Sequence, residues 1–339
     1  MTKKSTPSLV AAAALAAAAA GAHAQSSVTL FGTVDIGVAH VTGEGTSRTG
    51  LSNSGANISR FGFRGVEDLG GGLKAGFWLE AGFSPDTGDV NAGFKRRATV
   101  SLMGGWGELR LGRDDSATFL NTLLFDPFLT NGVGGTNTFV MNGVPTIQIS
   151  NAISYFTPPG LGGFYGQVQH AFSERLNTDP TVGGEYNGAR FGYRNGGLHA
   201  SVSAAKLQGL TQAQDQRLRN VGLSYDFGVV QPMLLWASHK RGDVEVRGLQ
   251  LGVKVPVGAG EIRASIGRYD TRGSDADWRK FAIGYGHNLS KRTQLYATYA
   301  RLNNSRGSQR AIGVLGVAAP ANVPGGHSNG YEVGMRHFF

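Results

Sequence analysis

The chain ends in Tyr331-Glu332-Val333-Gly334-Met335-Arg336-His337-Phe338-Phe339, and the fold turns on how these nine residues are read. Taken at every second position they give Tyr331, Val333, Met335, His337 and Phe339 on one face, and Glu332, Gly334, Arg336 and Phe338 on the other. Side chains of a β-strand alternate between faces, so this is a strand with one largely apolar side and one charged side. Two architectures accept it. It fits the edge of a soluble sandwich, with the apolar side in a core, or the wall of a membrane barrel, with the apolar side in lipid.

The opposite end of the chain separates the two. Lys3 and Lys4 precede an Ala-rich stretch from Leu9 to Ala20, and Ala22-His23-Ala24 supplies a small-residue cleavage pattern. Residues 1–24 therefore read as a secretory signal peptide, with the mature chain expected to begin at Gln25. An exported chain without cysteine is unlike a small disulfide-stapled domain, whereas a large closed barrel needs no staple. Glycine is abundant (53 residues), proline sparse (11), and mean hydropathy is −0.15. No later stretch offers the roughly 18 uninterrupted apolar residues of a membrane helix. A barrel hides from that test, because half of every strand faces water. No linker divides residues 25–339, which are expected to form one domain.

Between the ends one unit recurs: an alternating run of about ten residues, a Gly-rich tight turn, another run, then a longer polar segment. Tight turns are expected at 68–72, 104–107, 158–163, 195–197, 227–229, 257–260 and 288–292. Longer loops are expected at 43–56, 84–92, 114–147, 174–187, 208–217, 241–243, 271–276 and 303–329. These boundaries separate sixteen strands, an even number that suits a barrel with both termini on one side. Within the strands the faces divide cleanly. Leu73, Ala75, Phe77, Leu79, Ala81 and Phe83 oppose Lys74, Gly76, Trp78, Glu80 and Gly82. The expected fold is an all-β, sixteen-stranded antiparallel transmembrane barrel.

Several segments also resemble a known family. They are Ser27 to Asp35 (SVTLFGTVD), Ser59 to Lys74 (SRFGFRGVEDLGGGLK), Leu79 to Phe83 (LEAGF), Gly105 to Arg113 (GWGELRLGR), Asp126-Pro127-Phe128 and the terminal Arg336-His337-Phe338-Phe339. In this order they resemble the general porins of Gram-negative outer membranes, of the neisserial and β-proteobacterial type. The resemblance implies a homotrimer whose third long loop, 114–147, folds inward and narrows the pore. It places Arg60, Arg97 and Glu80 on the wall at the narrowest level, with Asp126 on the facing loop. It also implies that the C-terminal Phe339 is read by the barrel-assembly machinery, and that lipid and lipopolysaccharide of the outer membrane surround the barrel.

Strand parity adds the other charges. Arg60 and Arg64 share the wet face of 57–66, opposite Phe61 and Phe63. In 94–102 the apolar set Phe94, Ala98, Val100 and Leu102 points outward, which sends Lys95 and Arg97 inward and gives Arg96 outer-face parity, near the rim or a subunit contact. Lys74 and Arg336 are inward by the same reasoning. Cations thus outnumber acids on the wet faces. Arginine rings favour anions, and guanidinium stays charged at every physiological pH. Close arginines repel, so they are expected to stack on one another or to neutralise against Glu80 and Asp126. Gln148 and Ser154 are neutral where the family often carries a further basic residue, which weakens the expected anion field.

The expected function is passive diffusion of small hydrophilic solutes across the outer membrane, with a preference for anionic ones. A substrate-selective anion channel on the same fold is the alternative; an outer-membrane barrel enzyme is a more distant one. No G-x-S-x-G elbow, H-E-x-x-H pair or Walker loop occurs, and the histidines are scattered, so no catalytic residue, cofactor or metal site is expected. Basic residues alternate along strands rather than clustering with aromatics, which argues against a nucleic-acid partner.

Overall fold

A computed structural model describes residues 27–90, 93–136, 147–174 and 184–339. The signal segment 1–24 and positions 137–146 of the third loop lie outside the described residues. Eight strands make the first half of the sheet: β1 (Ser27–Gly43), β2 (Thr46–Asn53), β3 (Arg60–Gly70), β4 (Leu73–Ser84), β5 (Asp89–Val90), β6 (Arg97–Gly104), β7 (Gly107–Asp115) and β8 (Gln148–Phe156). The second half begins with β9 (Phe164–Ala171), β10 (Tyr186–Asn195), β11 (Leu198–Leu207), β12 (Gln216–Tyr225) and β13 (Gln231–Arg241). It ends with β14 (Val244–Val257), β15 (Gly260–Thr271), β16 (Trp278–Asn288), β17 (Thr293–Asn304) and β18 (His327–Phe338).

Neighbouring strands pair antiparallel, and β18 returns to β1 in a register running from Thr33↔Phe338 to Thr42↔Asn329. The terminal strand is therefore the closing strand, and the sheet has no open edge for lipid to meet. β2 and β3 both pair with β1, at its loop end and its turn end respectively, and form two pieces of one wall strand. β5 is a two-residue strand beside the end of β4. Sixteen wall strands result among the described residues.

The seven short turns fall where glycine and polar residues put them. At 70–72 three successive glycines hold φ of +84°, +59° and +81°, a run of left-handed backbone that side-chain-bearing residues resist. One loop departs from expectation. The span 43–56 is not a long loop but a hairpin: Glu44 and Gly45 turn the chain, and β2 runs back beside β1. Its sequence, Thr-Ser-Arg-Thr-Gly-Leu-Ser-Asn, has Leu51 as its one large apolar residue. A strand standing at the loop end of the wall needs no apolar face, so it leaves no hydrophobic alternation to read.

The outer surface is an apolar band. Val28, Leu30, Val100, Phe191, Val202, Leu251, Ile266, Val333 and Met335 are all exposed there. Aromatic pairs mark the short-turn end, with Phe164–Tyr193 centroids 4.8 Å apart and Tyr225–Phe227 at 4.4 Å, as in the girdles of membrane barrels. Phe339 belongs to this face: it exchanges backbone hydrogen bonds with Gly32 (3.0 and 3.1 Å), and its ring lies where a Gly32 side chain would stand.

The third loop lies against inward-facing wall residues. It enters as α1 (Ala117–Leu124), capped by Ser116, whose hydroxyl accepts from the Phe119 amide at 3.1 Å. The Asn121 amide donates to the Asn220 side-chain Oδ1 at 2.7 Å, and the Asn220 side-chain amide donates to the Thr118 backbone carbonyl at 2.9 Å. Asn220 alternates with exposed Arg219 and Val221 along β12 and so faces inward. Beyond the helix the loop crosses alternate strands, and each crossing meets a wall glycine. A side chain on Gly222 of β12 would overlap the Phe125 ring, and one on Gly252 of β14 would overlap Pro127. At Gly284 of β16 Phe128 comes within 3.2 Å of the position a Cβ would take, behind the wall's own Thr298 at 2.7 Å, and at Gly330 of β18 Val133 and Ile312 both lie 2.9 Å away. Ile312 and Val317 of the last loop join Phe128, Val133 and wall residues such as Leu302 in a buried apolar cluster. The barrel's core thus lies where loops pack onto inward-facing strand residues such as Val41, Tyr269, Trp278 and Leu302.

Candidate pore constriction

The inner wall from β3 to β7 carries a chain of alternating charges. Arg60 of β3 lies 3.5 Å from Glu80 of β4, and Arg96 reaches the same carboxylate at 2.7 Å. Trp78 donates its indole N–H to the other oxygen of Glu80 at 3.1 Å. Arg97 of β6 lies 3.5 Å from Asp114, which also pairs with Arg110; Arg110 in turn holds Glu108 at 2.9 Å. The guanidinium carbons of Arg97 and Arg64 sit 4.4 and 5.0 Å from the Trp78 ring. A cation over an indole face is attracted by the ring quadrupole, so Trp78 organises two cations that would otherwise repel. Of the two expected arrangements, stacking or neutralisation, the arginines adopt the second at Glu80, whereas Asp126 takes no part, and carboxylates and an aromatic face separate the cations.

Arg60, Arg97 and Glu80 are therefore brought together, with Lys95 exposed beside them. Arg96 corrects the parity reading. β6 begins only at Arg97, so Arg96 precedes the strand and its side chain turns in to Glu80. At Gly112–Asp114 a bulge shifts the register between β7 and β8 and ends the simple alternation. Bulges re-aim side chains: Asp114 stays in phase with Glu108 and Arg110 and pairs with Arg97 and Arg110, while Arg113 and Asp115 also line the lumen. Trp78 had the right parity but no charge to mark it. Arg110 had both, in an alternation of Glu108 and Arg110 with Leu109 and Leu111, and could have been found.

Beside this wall a cavity of about 950 Å³ runs to Phe119, Leu123, Leu129 and Thr130 of the third loop. Asp126 of that loop is not in it. It is 0% exposed and accepts from the amides of Phe128 (3.1 Å), Thr130 (2.8 Å) and Thr136 (3.0 Å), the Thr136 hydroxyl (3.1 Å) and Gln250 (3.2 Å). It ties the loop to itself and to β14. Two further wall acids do similar work. Asp35, 0% exposed, accepts from the amides of Gly55, Ala56 and Asn57 and from the Tyr296 hydroxyl. Glu332, 1% exposed, accepts from Ser52 at 2.6 Å and the Val133 amide at 3.0 Å.

The cations are treated differently. Arg60 and Arg97 keep 25% and 19% of their side-chain surface open. Arg64 and Lys74 are exposed, and Arg336 is half-buried, its guanidinium 4.5 Å from the Phe338 ring. Asp35, Asp126 and Glu332 are sealed behind loops, as is Lys280, whereas Arg60, Arg97 and Arg113 border the lumen beside Asp115.

A closed sixteen-stranded barrel with an apolar exterior and a charged, water-accessible interior, one loop packed on its inner wall, is an outer-membrane pore. The sequence model of the Gram-negative porin matches residues 11–307, and the chain belongs to that family. It is 42% identical over 353 aligned residues to outer membrane porin protein 32 of Delftia acidovorans, covering 98% of this chain and 99% of that one. It is 27% identical to a major outer membrane protein P.IB of Neisseria meningitidis, over 93% of this chain and 95% of the relative. Among solved structures, the anion-selective porin from Comamonas acidovorans matches with a TM-score of 0.84 and 40% identity, over 93% of this chain and 100% of that one. OmpT of Vibrio cholerae matches with a TM-score of 0.68 at 13% identity, a likeness of fold alone. The protein is a porin of the Gram-negative outer membrane.

Proposed function

We propose that the protein is a homotrimeric, anion-favouring diffusion pore whose constriction is formed by the third loop facing Arg60, Arg97 and Glu80, with Arg96, Arg110 and Asp114 completing the charged wall. Transport is passive: the barrel supplies a hole and a field, and the concentration gradient supplies direction. The observation that carries the anion preference is the unequal treatment of the two signs. Asp35, Asp126 and Glu332 are buried and occupied by protein donors, so their charge is met before a solute arrives. Arg60, Arg64, Lys95 and Arg97 border the water path. Asp126 acts at one remove, holding the loop's shape rather than facing the solute. Two supports come from relatives: a 40%-identical porin described as anion-selective, and a Vibrio cholerae OmpT described in a trimer form. Residues 1–24 act as a cleaved export signal, and Phe339 is the residue presented to the assembly machinery.

Single-channel recording of the refolded protein in a potassium chloride gradient tests this. Conductance steps grouped in threes with a reversal potential toward that of chloride are expected. A silent bilayer would overturn the pore, and a potassium-like reversal potential would overturn the selectivity.

A further inference from the structure

Arg60 reaches the lumen from a wall strand that is interrupted just before it. β2 leaves β1 at Asn53↔Ile36 and β3 joins it at Arg60↔Thr33, so residues 54–59 stand opposite Val34 and Asp35 alone. Surplus residues on one strand must leave the ladder, and they re-aim the side chains beside them. Here the surplus closes around a single residue. The Ser54 amide donates to the Asp35 carbonyl at 2.9 Å, from a left-handed backbone (φ +74°) uncommon for serine. The Gly55, Ala56 and Asn57 amides donate to the Asp35 carboxylate at 3.2, 2.9 and 2.6 Å. The Ser59 hydroxyl accepts from the Asp35 amide at 3.0 Å and donates to its carbonyl at 2.9 Å. Every polar atom of Asp35 thus holds this segment. The Tyr296 hydroxyl, at 2.7 Å, steadies the carboxylate from β17.

The same segment holds Arg60. The Arg60 Nη1 donates to the Asn57 side-chain oxygen at 2.7 Å and to the Ile58 carbonyl at 3.2 Å. At the other end of the fork, Nε faces Glu80 at 3.5 Å, longer than a well-formed hydrogen bond. Glu80 is already engaged by Arg96 at 2.7 Å and by the Trp78 indole at 3.1 Å. Asn57 is neutral, so it fixes the guanidinium without cancelling its charge. A guanidinium held by neutral acceptors keeps its field for a passing ion. One free to swing settles on a carboxylate, because a charged acceptor makes the stronger bond. Among the described residues Glu80 is the one carboxylate within 4.0 Å of Arg60.

We infer that Asp35 and Asn57 are positioning residues for Arg60: the Asp35 carboxylate moulds segment 54–59, and through Asn57 that segment holds the Arg60 guanidinium off Glu80. Asp35 is 0% exposed, so it shapes the selectivity of the pore without facing a solute. The inference rests on the reading of Arg60 as a cation that sets the anion preference.

The test is the anion/cation permeability ratio of refolded protein, taken from reversal potentials in a potassium chloride gradient. A screened charge at the distance of the lumen gives Arg60 about a fourfold share of that ratio. Closer pairing with Glu80 should remove about half of the share on a logarithmic scale, so Asn57→Ala should lower the ratio about twofold. The same substitution made in an Arg60→Ser protein should change nothing further. An Asn57→Ala protein with the wild-type ratio overturns the inference. So does an equal fall in the Arg60→Ser background, which would give Asn57 an effect independent of Arg60. Two variants of Asp35 carry the same change of charge and so separate shape from field. Asp35→Ala strips the acceptor from all three amides and should lower the ratio, although it removes a negative charge. Asp35→Asn keeps an acceptor oxygen for the Ala56 and Asn57 amides and should restore most of the wild-type ratio. Equal ratios in these two variants refute the moulding role. Should Asp35→Ala fail to refold, the Asn57–Arg60 cycle decides alone. An Arg60→Ser protein with unchanged selectivity sinks the reading of Arg60 and this inference with it. A fall in Arg60→Ser with none in Asn57→Ala sinks this inference only.

Discussion

Replacing Arg60 and Arg97 together by serine removes two positive charges from the lumen without freeing a carboxylate. Glu80 keeps Arg96 at 2.7 Å, and Asp114 keeps Arg110. The field change is therefore close to that of the two charges alone. An ion passing about 6 Å from a guanidinium in water interacts with it by about 0.7 kcal/mol. Salt near 0.1 M reduces this to about 0.4 kcal/mol. An anion gains that energy and a cation loses it, so each arginine biases the pair by about 0.8 kcal/mol and both by about 1.5. That is close to a tenfold fall in the anion/cation permeability ratio. Reversal potentials in a potassium chloride gradient at low and high ionic strength measure it, and the effect should shrink at high salt. The reasoning is refuted by a double variant with wild-type selectivity at low salt, or by a shift toward stronger anion preference.

Three other outcomes follow from the packing. Gly222→Leu places a side chain where the Phe125 ring lies, so α1 should lift off the wall; single-channel traces should become noisy while the barrel still resists denaturation in SDS without heating. Asp126→Ala strips an acceptor from the Phe128, Thr130 and Thr136 amides, each unpaired group costing about 1–3 kcal/mol, and limited proteolysis should cut the third loop sooner with the barrel intact. Deletion of Phe339 should lower the yield of assembled protein in the outer membrane well before it alters the conductance of the molecules that do assemble.

Much of the wall was legible from period-two alternation, because lipid outside and water inside impose opposite chemistry on adjacent residues. The closing strand, the seven short turns and the facing of Arg60, Arg64 and Trp78 all follow from it. Alternation carries no signal wherever that contrast is missing. β2 stands at the loop end and needs no apolar face. Arg96 precedes its strand, and the bulge after Gly112 breaks the count. Asp126 shows a different limit. An aspartate in a loop reads alike whether it faces a solute or caps buried amides, and only the fold of the loop distinguishes the two.

The glycines at 222, 252, 284 and 330 sit on alternate strands, and the loop takes its course from them. The loop is thus moulded by the tube it occupies, as a gasket is by its groove. Its course is written in single positions between 222 and 330, remote in sequence from the loop itself. If the loop sets the bore as proposed, each of these codons gives a lineage a one-step route to a different permeability that leaves the loop's own sequence untouched.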